Sequence, residues 1–314
     1  MQNSTISFIG AGNMAISLIK GLLKKNFPAK NIWATNNNRE QLDKLKNLNI
    51  NLTTDNQYAV QMADIVILAI KPQALKSVAI EIADHIQEKK PLVISIAVGI
   101  SLSSLERYLY SEKLDFSGVN YVVKQPECMN IHEDCQFSGN TDKNSIPKSI
   151  SNQKLALIRC MPNTPALIGC GATGLFANKY CSKTQKNAAE SIFHSVGAVA
   201  WLSKEEQIDV VAALSGSGPA YFFLFIASLE QAAVELGLPK EIANLLTLQT
   251  ALGSARMAIE SKKSITELKQ QVTSPEGTTE RALKSLNNDH FSDIVKKALK
   301  EAKIRAEELA QDKN

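Results

Sequence analysis

The stretch Ile6–Ala15 has the sequence ISFIGAGNMA: four strand-forming residues, two glycines separated by one residue, and the start of an apolar helical pattern. It matches G-x-G-x-x-G/A directly after a strand and at the opening of a helix, which is the context that the pattern requires. Gly10 permits the tight turn, Gly12 lets the backbone approach a pyrophosphate, and Ala15 lets the helix pack on the sheet. We expect a dinucleotide site whose phosphates face the helix amides. The alternative is a glycine-rich turn without a ligand.

The rest of the first hundred residues alternates strands with helical patterns. Short apolar runs at 32–35, 50–52, 65–69 and 92–96 follow the first strand, and the run at 65–69 is apolar on both faces, as in a central parallel strand. This alternation predicts an α/β fold with an N-terminal Rossmann-like parallel sheet.

The second part of the chain changes character. Residues 204–314 contain no comparable strand and are predicted to form successive helices separated by Gly and Pro. We therefore expect a cofactor-binding domain over 1–203 and an all-helical domain over 204–314. The polar segment 110–153 has little periodicity and is predicted to be an insertion or a mobile loop.

Composition excludes several classes of protein. The chain has 35 Lys plus Arg and 31 Asp plus Glu, a net charge of +4 that is too small for a nucleic-acid footprint. The apolar runs at 65–70 and 222–227 are far shorter than the roughly 20 residues of a bilayer span. The polar residues 1–5 are followed at once by a strand, and five cysteines suggest no disulfide framework. We expect a cytoplasmic protein that binds neither nucleic acid nor membrane.

The end of the second strand bears on the choice of nucleotide. The segment 34–39, ATNNNR, lacks the acidic residue that binds the ribose hydroxyls of NAD. Amide side chains together with Arg39 would accept a 2′-phosphate, so NADPH is predicted to be preferred and NADH to remain possible. The alternative is that the three Asn form a turn and Arg39 is only solvated.

Two further strand ends should border the cofactor, because ligands lie beyond the carboxyl ends of parallel strands. These are Ala69-Ile70-Lys71-Pro72 and Ile96-Ala97-Val98. Their small residues leave space for ribose and nicotinamide, and Pro72 opens the next helix. Lys71 alone would more commonly be a solvated charge.

No usual dehydrogenase acid or base stands out. His85, His194 and His290 are predicted to be structural, and Cys128-x-x-x-His132-x-x-Cys135 lacks the second ligand pair of a zinc site, so no metal is expected.

The distinctive motifs are neutral instead: RCMPNTPA at 159–166, SGSGPAY at 215–221 and VTSPEGTT at 272–279. The last two open helices, whose N-termini suit a small carboxylate, although both can equally be plain helix starts.

Five motifs follow one another along the chain: the nucleotide loop, IKPQ, MPNTPA, LSGSGPAY and TSPEGTT. Together they resemble the pyrroline-5-carboxylate reductase family over residues 5–109 and 155–312. The resemblance implies NAD(P)H-dependent reduction of 1-pyrroline-5-carboxylate to L-proline, the last step of proline biosynthesis. It also implies a helical C-terminal dimerisation domain, with a homodimer that can stack into a decamer.

The resemblance also implies site residues. The cofactor loop is Ile9, Gly10, Ala11, Gly12, Asn13 and Met14, with Asn36 at the 2′-phosphate and Asn56 at the adenosine side. The nicotinamide side is Ala69, Ile70, Lys71, Pro72, Ile96, Ala97 and Val98. The substrate carboxylate would bind the loop from Ser274 to Thr279 through the amides of Gly277 and Thr278. The catalytic hydroxyl of Thr279 would face the ring nitrogen, Val272 would bound the pocket, and Glu205 would be a further substrate contact.

Three features depart from the family pattern. Glu276 replaces a glycine of SPGGTT, and its carboxylate is expected to face solvent because it would repel the substrate. Gln271 stands where Asn is frequent beside the nicotinamide. The 110–153 segment has no counterpart.

Two other functions remain as alternatives. A β-hydroxyacid dehydrogenase needs a catalytic lysine on the long helix, and residues 217–236 contain none. A non-catalytic NADPH sensor would keep Gly10 and Gly12 but would not need a second anion-binding helix end.

Overall fold

The computed structural model describes residues 3–110 and 154–311. The predicted insertion over 110–153 therefore lies, apart from Tyr110, outside the described residues. The described part contains one eight-stranded sheet, in the order β3-β2-β1-β4-β5-β6-β7-β8, followed by helices. Its strands are β1 (Ile6–Ile9), β2 (Ile32–Thr35), β3 (Asn51–Thr53), β4 (Ile65–Leu68), β5 (Leu92–Ser95), β6 (Leu157–Met161), β7 (Gly171–Ala177) and β8 (Gly197–Trp201).

Helices cover both faces of this sheet. They are α1 (Asn13–Lys24), α2 (Arg39–Asp43), α3 (Asn56–Gln61), α4 (Pro72–Lys89), α5 (Leu102–Tyr110) and α6 (Lys183–His194). One buried cluster packs α1, α2 and α6 on the first face, and another packs α3, α4 and α5 on the second. Strand β4 is buried along its whole length between them, as its doubly apolar sequence predicts.

The sheet confirms the predicted α/β class and differs from it in one place. All neighbouring strands pair in parallel except β6 and β7, which are antiparallel with Cys160 opposite Leu175. A tight connection containing Asn163 and a three-residue-per-turn segment, Thr164–Ile168, reverses the chain between them. The last three strands extend the sheet beyond the first hundred residues, to which the strand pattern of the sequence is confined.

The remainder of the chain is helical, as expected. Its helices are α7 (Gln207–Val211), α8 (Gly218–Glu235), α9 (Lys240–Glu260), α10 (Ile265–Gln271), α11 (Thr278–Asn288) and α12 (Phe291–Gln311). A small apolar cluster of Met161, Ile208, Ala212 and Ala306 joins α7 and α12 to the end of the sheet.

Helices α8 and α9 pack on each other and leave many large apolar side chains exposed. Phe222 and Leu224 on α8 are each 70% exposed, and Leu245 on α9 is 66% exposed. The continuous helical segment Gln207–Glu235 is long and apolar enough, by length and composition, to span a bilayer. The uninterrupted apolar runs of the sequence did not indicate this, because each of them is short. Within the described chain, these helices lack a covering surface.

Candidate active site

The nucleotide loop has the geometry that its glycines predict. Gly10 has φ of +101°, and a Cβ there would lie 2.5 Å from the carbonyl oxygen of Ala69. Its amide donates to the Thr35 carbonyl at 3.1 Å, which ties the turn to β2. These contacts leave no room for a side chain, so glycine is required.

Gly12 is the opposite case, because a Cβ there would meet no protein atom within 4 Å. It is the N-cap of α1, whose first turn has neither a capping side chain nor an acidic residue. Ile9 and Ala11 are buried, and Asn13 and Met14 begin the helix. Open space at an uncapped helix N-terminus fits a dinucleotide phosphate.

The β2 end carries the predicted 2′-phosphate residues. The Asn36 Oδ1 accepts from the Asn38 amide at 2.9 Å, and the Asn38 side chain caps α2 by accepting from the Glu40 amide. Arg39 is exposed, and no ion pair to it occurs within the described ranges. The Asn cluster thus forms a turn, as the alternative predicted, while the Arg39 guanidinium remains available to an anion.

Asn56 lies behind this turn, at the start of α3. It is 6% exposed, its Oδ1 accepts from the Thr35 hydroxyl at 2.6 Å, and its Nδ2 donates to the Glu81 carboxylate. The predicted adenosine-side residue is therefore held by protein partners beside the nucleotide loop.

The β4 and β5 ends lie at the same edge of the sheet. Lys71 is the exposed N-cap of α4, and Pro72 occupies the first turn. Beyond β5, the Ala97 amide donates to the Ser95 hydroxyl at 3.3 Å. Gly99 has φ of +70°, and a Cβ there would lie 2.9 Å from the Leu309 carbonyl of α12. The last helix therefore packs against the loop that follows Ile96–Val98.

Glu205 has partners that the sequence did not suggest. Its Oε1 accepts from the Leu102 amide at 2.7 Å, at the start of α5, and lies 3.4 Å from a guanidinium nitrogen of Arg159. Arg159 is 3% exposed and also pairs with Asp209 at 2.8 Å. Just before Glu205, the amide and hydroxyl of Ser203 both donate to the Gln207 side chain. Glu205, which lies just before α7, therefore contacts α5 through the Leu102 amide and β6 through Arg159.

Two of the neutral motifs turn out to contact each other. Asn163 of MPNTPA is buried; its Oδ1 accepts from the Ala172 amide, and its Nδ2 donates to the Ser215 carbonyl at 2.9 Å. The segment Ala212–Gly216 is one π-helical turn before α8, and a Cβ on Gly216 would lie 2.4 Å from the Met161 side chain. These motifs form the joint between sheet and helices.

The third motif forms an exposed loop before α11. Glu276 is exposed with φ of +58°, the conformation favoured by the glycine it replaces. A Cβ on Gly277 would lie 2.5 Å from the Ser274 hydroxyl and 3.0 Å from its carbonyl oxygen, so a larger residue there would force the loop to shift. The Gly277 amide donates to the Ser274 carbonyl at 3.1 Å. The amides of Thr278 and Thr279 have no acceptor within 3–110 or 154–311. Val272 is 59% exposed.

Within the described residues, the groove at the substrate loop contains no residue of the nucleotide loop. The groove beside the loop is lined by Thr273, Glu276, Gly277, Glu280, Arg281, Leu283, Lys284 and Asn287, all from the loop and α11. None of them belongs to the sheet. The main packing partner of α11 is α12. Thr279 and the Gly10–Gly12 loop therefore stand as separate half-sites.

No cluster of potential metal ligands occurs within the described residues. Burial raises the pKa of the Cys160 thiol well above its ordinary value and that of Cys181 to about 11, so both thiols stay protonated at neutral pH. The candidate metal ligands Cys128, His132 and Cys135 lie outside the described residues.

Comparisons with known proteins identify both parts of the chain. Residues 205–309 match the family described as "Pyrroline-5-carboxylate reductase dimerisation", and residues 5–99 match "NADP oxidoreductase coenzyme F420-dependent". The first match contains the helices that leave apolar side chains exposed, and the second contains the nucleotide loop and the four strand ends around it.

Relatives that match over the full length of the chain point to the same family as the dimerisation match. A pyrroline-5-carboxylate reductase of Pseudomonas aeruginosa is 40% identical, over 99% of this chain and 98% of that protein. The solved structure of such a reductase from Coxiella burnetii has a TM-score of 0.82 at 41% identity and covers 98% of both chains. A Plasmodium falciparum pyrroline carboxylate reductase, solved with NADP bound, has a TM-score of 0.75 at 28% identity and covers 99% of both. This chain belongs to the pyrroline-5-carboxylate reductase family.

Proposed function

We propose that this protein reduces 1-pyrroline-5-carboxylate to L-proline with a nicotinamide cofactor, as the last step of proline biosynthesis. The observation that carries the proposal is 40% identity, spanning both domains, with a relative of that name. The open helix N-terminus at Gly12 supports the cofactor part. Membership of the dimerisation family supports a homo-oligomer.

We assign the cofactor to the residues around the nucleotide loop. The uncapped N-terminus of α1 would hold the phosphates, Asn36 and Arg39 the 2′-phosphate, and Asn56 the adenosine side. Ala69–Pro72 and Ile96–Val98 would line the nicotinamide side. When bound, the cofactor supplies the hydride.

We assign the substrate to the loop before α11. The unpaired amides of Thr278 and Thr279 would bind the carboxylate, and the Thr279 hydroxyl would hydrogen-bond the ring nitrogen. Gly277 shapes the loop, since its own amide is used within it. Protonated imines accept hydride readily; the ring N–H would donate to the Thr279 hydroxyl oxygen, so neutral groups that orient the ring suffice and no strong acid is needed.

We infer that a second copy of the chain completes each site. The substrate loop and the nucleotide loop are separate within one chain, and α8 and α9 present the apolar surface that a partner would cover. Pairing through these helices, rather than insertion into a membrane, would bury Phe222 and Leu245. The minimal unit would be a dimer, which could stack into a decamer in the cytoplasm.

The test uses purified protein with NADPH and the cyclic imine, with nicotinamide absorbance as the readout. Imine-dependent oxidation of NADPH supports the proposal. Oxidation that depends instead on a β-keto acid would indicate a hydroxyacid dehydrogenase, and binding without turnover would indicate a sensor; either result would contradict it.

Preference for NADPH over NADH is tested in the same assay with the double variant Asn36→Asp/Arg39→Glu. An acid at the end of β2 would repel the 2′-phosphate and accept the ribose hydroxyls, so preference should shift toward NADH. Equal loss with both cofactors would remove these residues from 2′-phosphate recognition.

A further inference from the structure

A hydrogen-bond chain leads from α4 to the nucleotide loop. The Glu81 carboxylate accepts from the Asn56 Nδ2 at 3.2 and 3.3 Å. The Asn56 Oδ1 accepts from the Thr35 hydroxyl at 2.6 Å, and the Thr35 Oγ1 in turn lies 3.3 Å from the Gly10 amide, which it accepts from. Thr35 is fully buried and Asn56 is 6% exposed. Only the Glu81 end of this chain reaches the surface.

The carboxylate fixes the direction of every bond in the chain. Ionised Glu81 can only accept, so the NH₂ of Asn56 must face it and the Oδ1 must face Thr35. The Thr35 hydroxyl then has to donate to that oxygen. Its lone pairs are left for the Gly10 amide, which also donates to the Thr35 carbonyl. All the polar groups are satisfied in this one arrangement.

Without an acceptor at position 81, the Asn56 amide has two competing orientations. In the reversed one, the NH₂ donates to Thr35 and the hydroxyl hydrogen must turn elsewhere, toward the Gly10 amide. Two donors would then meet at the turn that Gly10 shapes.

We propose that Glu81 is a positioning residue for cofactor binding, acting through Asn56 and Thr35 on the Gly10 turn. This inference rests on the proposed function, because it requires the nucleotide loop to bind the cofactor. Glu81 itself need not touch the cofactor.

Charge effects alone predict the opposite change in cofactor affinity when Glu81 is replaced, which makes the proposal easy to test. The cofactor phosphates are negative, so removing a carboxylate near them, or replacing it by a cation, should tighten binding by charge alone. The hydrogen-bond chain predicts weaker binding. Glu88 lies on the same helix, is exposed, and provides a matched control for the charge effect.

The experiment compares Glu81→Ala, Glu81→Gln and Glu81→Lys with Glu88→Ala and Glu88→Lys by fluorescence titration with NADPH. We expect Glu81→Ala to raise the Kd by about fivefold, and Glu81→Lys by more because its ammonium enforces the reversed amide. Glu81→Gln retains an acceptor and should stay near wild type. Both Glu88 variants should bind as tightly as wild type or more tightly. At saturating NADPH, kcat should be unchanged in all five.

Two further measurements separate positioning from damage to the fold. Thermal unfolding should show the Glu81 and Glu88 variants folded alike, because the Gln57 side chain bonds the backbone carbonyl of Glu81 and remains in place. In an Asn56→Ala background, Glu81→Ala should cause no further loss of NADPH affinity.

If Glu81→Ala and Glu81→Lys bind NADPH as tightly as the Glu88 controls, the inference is overturned while the proposed function stands. A full additional loss in the Asn56→Ala background would also overturn it. If the wild-type protein does not bind NADPH, the proposed function fails first, and the inference fails with it.

Discussion

The sheet domain and the helices after residue 204 bury their apolar side chains in opposite ways. Phe8 and Ile67 in the sheet are completely buried, whereas Phe222 and Leu224 on α8 are each 70% exposed. The nucleotide half-site is correspondingly bounded by four strand ends, and the substrate half-site is an open loop before α11. This contrast teaches that the sheet domain buries its core within one chain, while the helices expose an apolar surface that the proposed second chain would cover as it completes the site.

The largest effect on function is expected at Gly12, in the nucleotide half-site of the sheet domain. Gly12→Asp places a carboxylate where the phosphates would bind, so NADPH affinity should fall by at least about 100-fold. The fold should persist because the new side chain enters open space. Fluorescence titration measures affinity and thermal unfolding measures stability. Gly12→Ala is the control for size, and NADPH affinity within threefold of wild type in Gly12→Asp would contradict the assignment.

The next effect concerns the helices after residue 204, whose apolar side chains are exposed. Phe223 on α8 is 67% exposed, and Phe223→Glu would place a charge inside the proposed contact between subunits. We expect monomers in light scattering, together with loss of imine reduction. Met62→Glu alters a 43% exposed side chain of the sheet domain and should leave the mass unchanged. A Phe223→Glu protein with wild-type mass would show that α8 is not the interface.

The joint between the halves should be sensitive to Asn163. Asn163→Ala removes two hydrogen bonds of a buried side chain and takes away the partners of the Ala172 amide and the Ser215 carbonyl, which should cost about 2 kcal/mol of unfolding free energy. Chemical denaturation measures the cost. Asn187→Ala, at an exposed site on α6, should cost almost nothing. Similar values for the two variants would show that the Asn163 hydrogen bonds do not stabilise the joint.

A smaller change in catalysis is expected at Thr279. Thr279→Val removes only the hydroxyl, so kcat/KM for the imine should fall about tenfold, equivalent to about 1.4 kcal/mol of transition-state stabilisation. Thr278→Val is the matched control, because only the backbone amide of that residue is assigned a role. Steady-state kinetics at saturating NADPH decides, and equal activity of the two variants would remove Thr279 from the mechanism.

The smallest effect is expected at Glu276. Its left-handed backbone, with φ of +58°, is strained for any residue with a Cβ, so Glu276→Gly should add about 0.5 kcal/mol of stability after the entropy cost of glycine. Glu276→Ala keeps the strain and should add none. Equal stabilisation by both variants, measured by thermal unfolding, would point to the charge instead.

Much of the sheet domain was predictable because its signals are local. The strand ending at Ile9, the two glycines and the doubly apolar β4 all follow from neighbouring residues, and the structure agrees. The helix α3 was missed because six residues carry little periodicity. The strand β7 was missed because its sequence, GATGLFA, contains two glycines and one β-branched residue.

The polar partners could not be predicted, because they are distant in sequence. Asn163 and Ser215 are 52 residues apart, and Asn56 and Glu81 are 25 apart. Nothing in the sequence around Arg159 indicated that its partners are the carboxylates of Glu205 and Asp209. The motifs marked Arg159, Asn163 and Ser215 as unusual, but their partners appear only when the end of β6 meets α7 and the turn before α8.

The most direct measurement of whether two chains share one site is a mixture of two inactive variants. Gly12→Asp disables the nucleotide half-site, and Gly277→Asp disables the substrate loop, where a Cβ would lie 2.5 Å from the Ser274 hydroxyl. Each variant alone should be inactive. Co-expressed with different tags, they should pair at random and recover about a quarter of wild-type imine reduction, because half of the sites in each mixed dimer are intact. No recovery in isolated mixed dimers would show that each chain carries its own complete site.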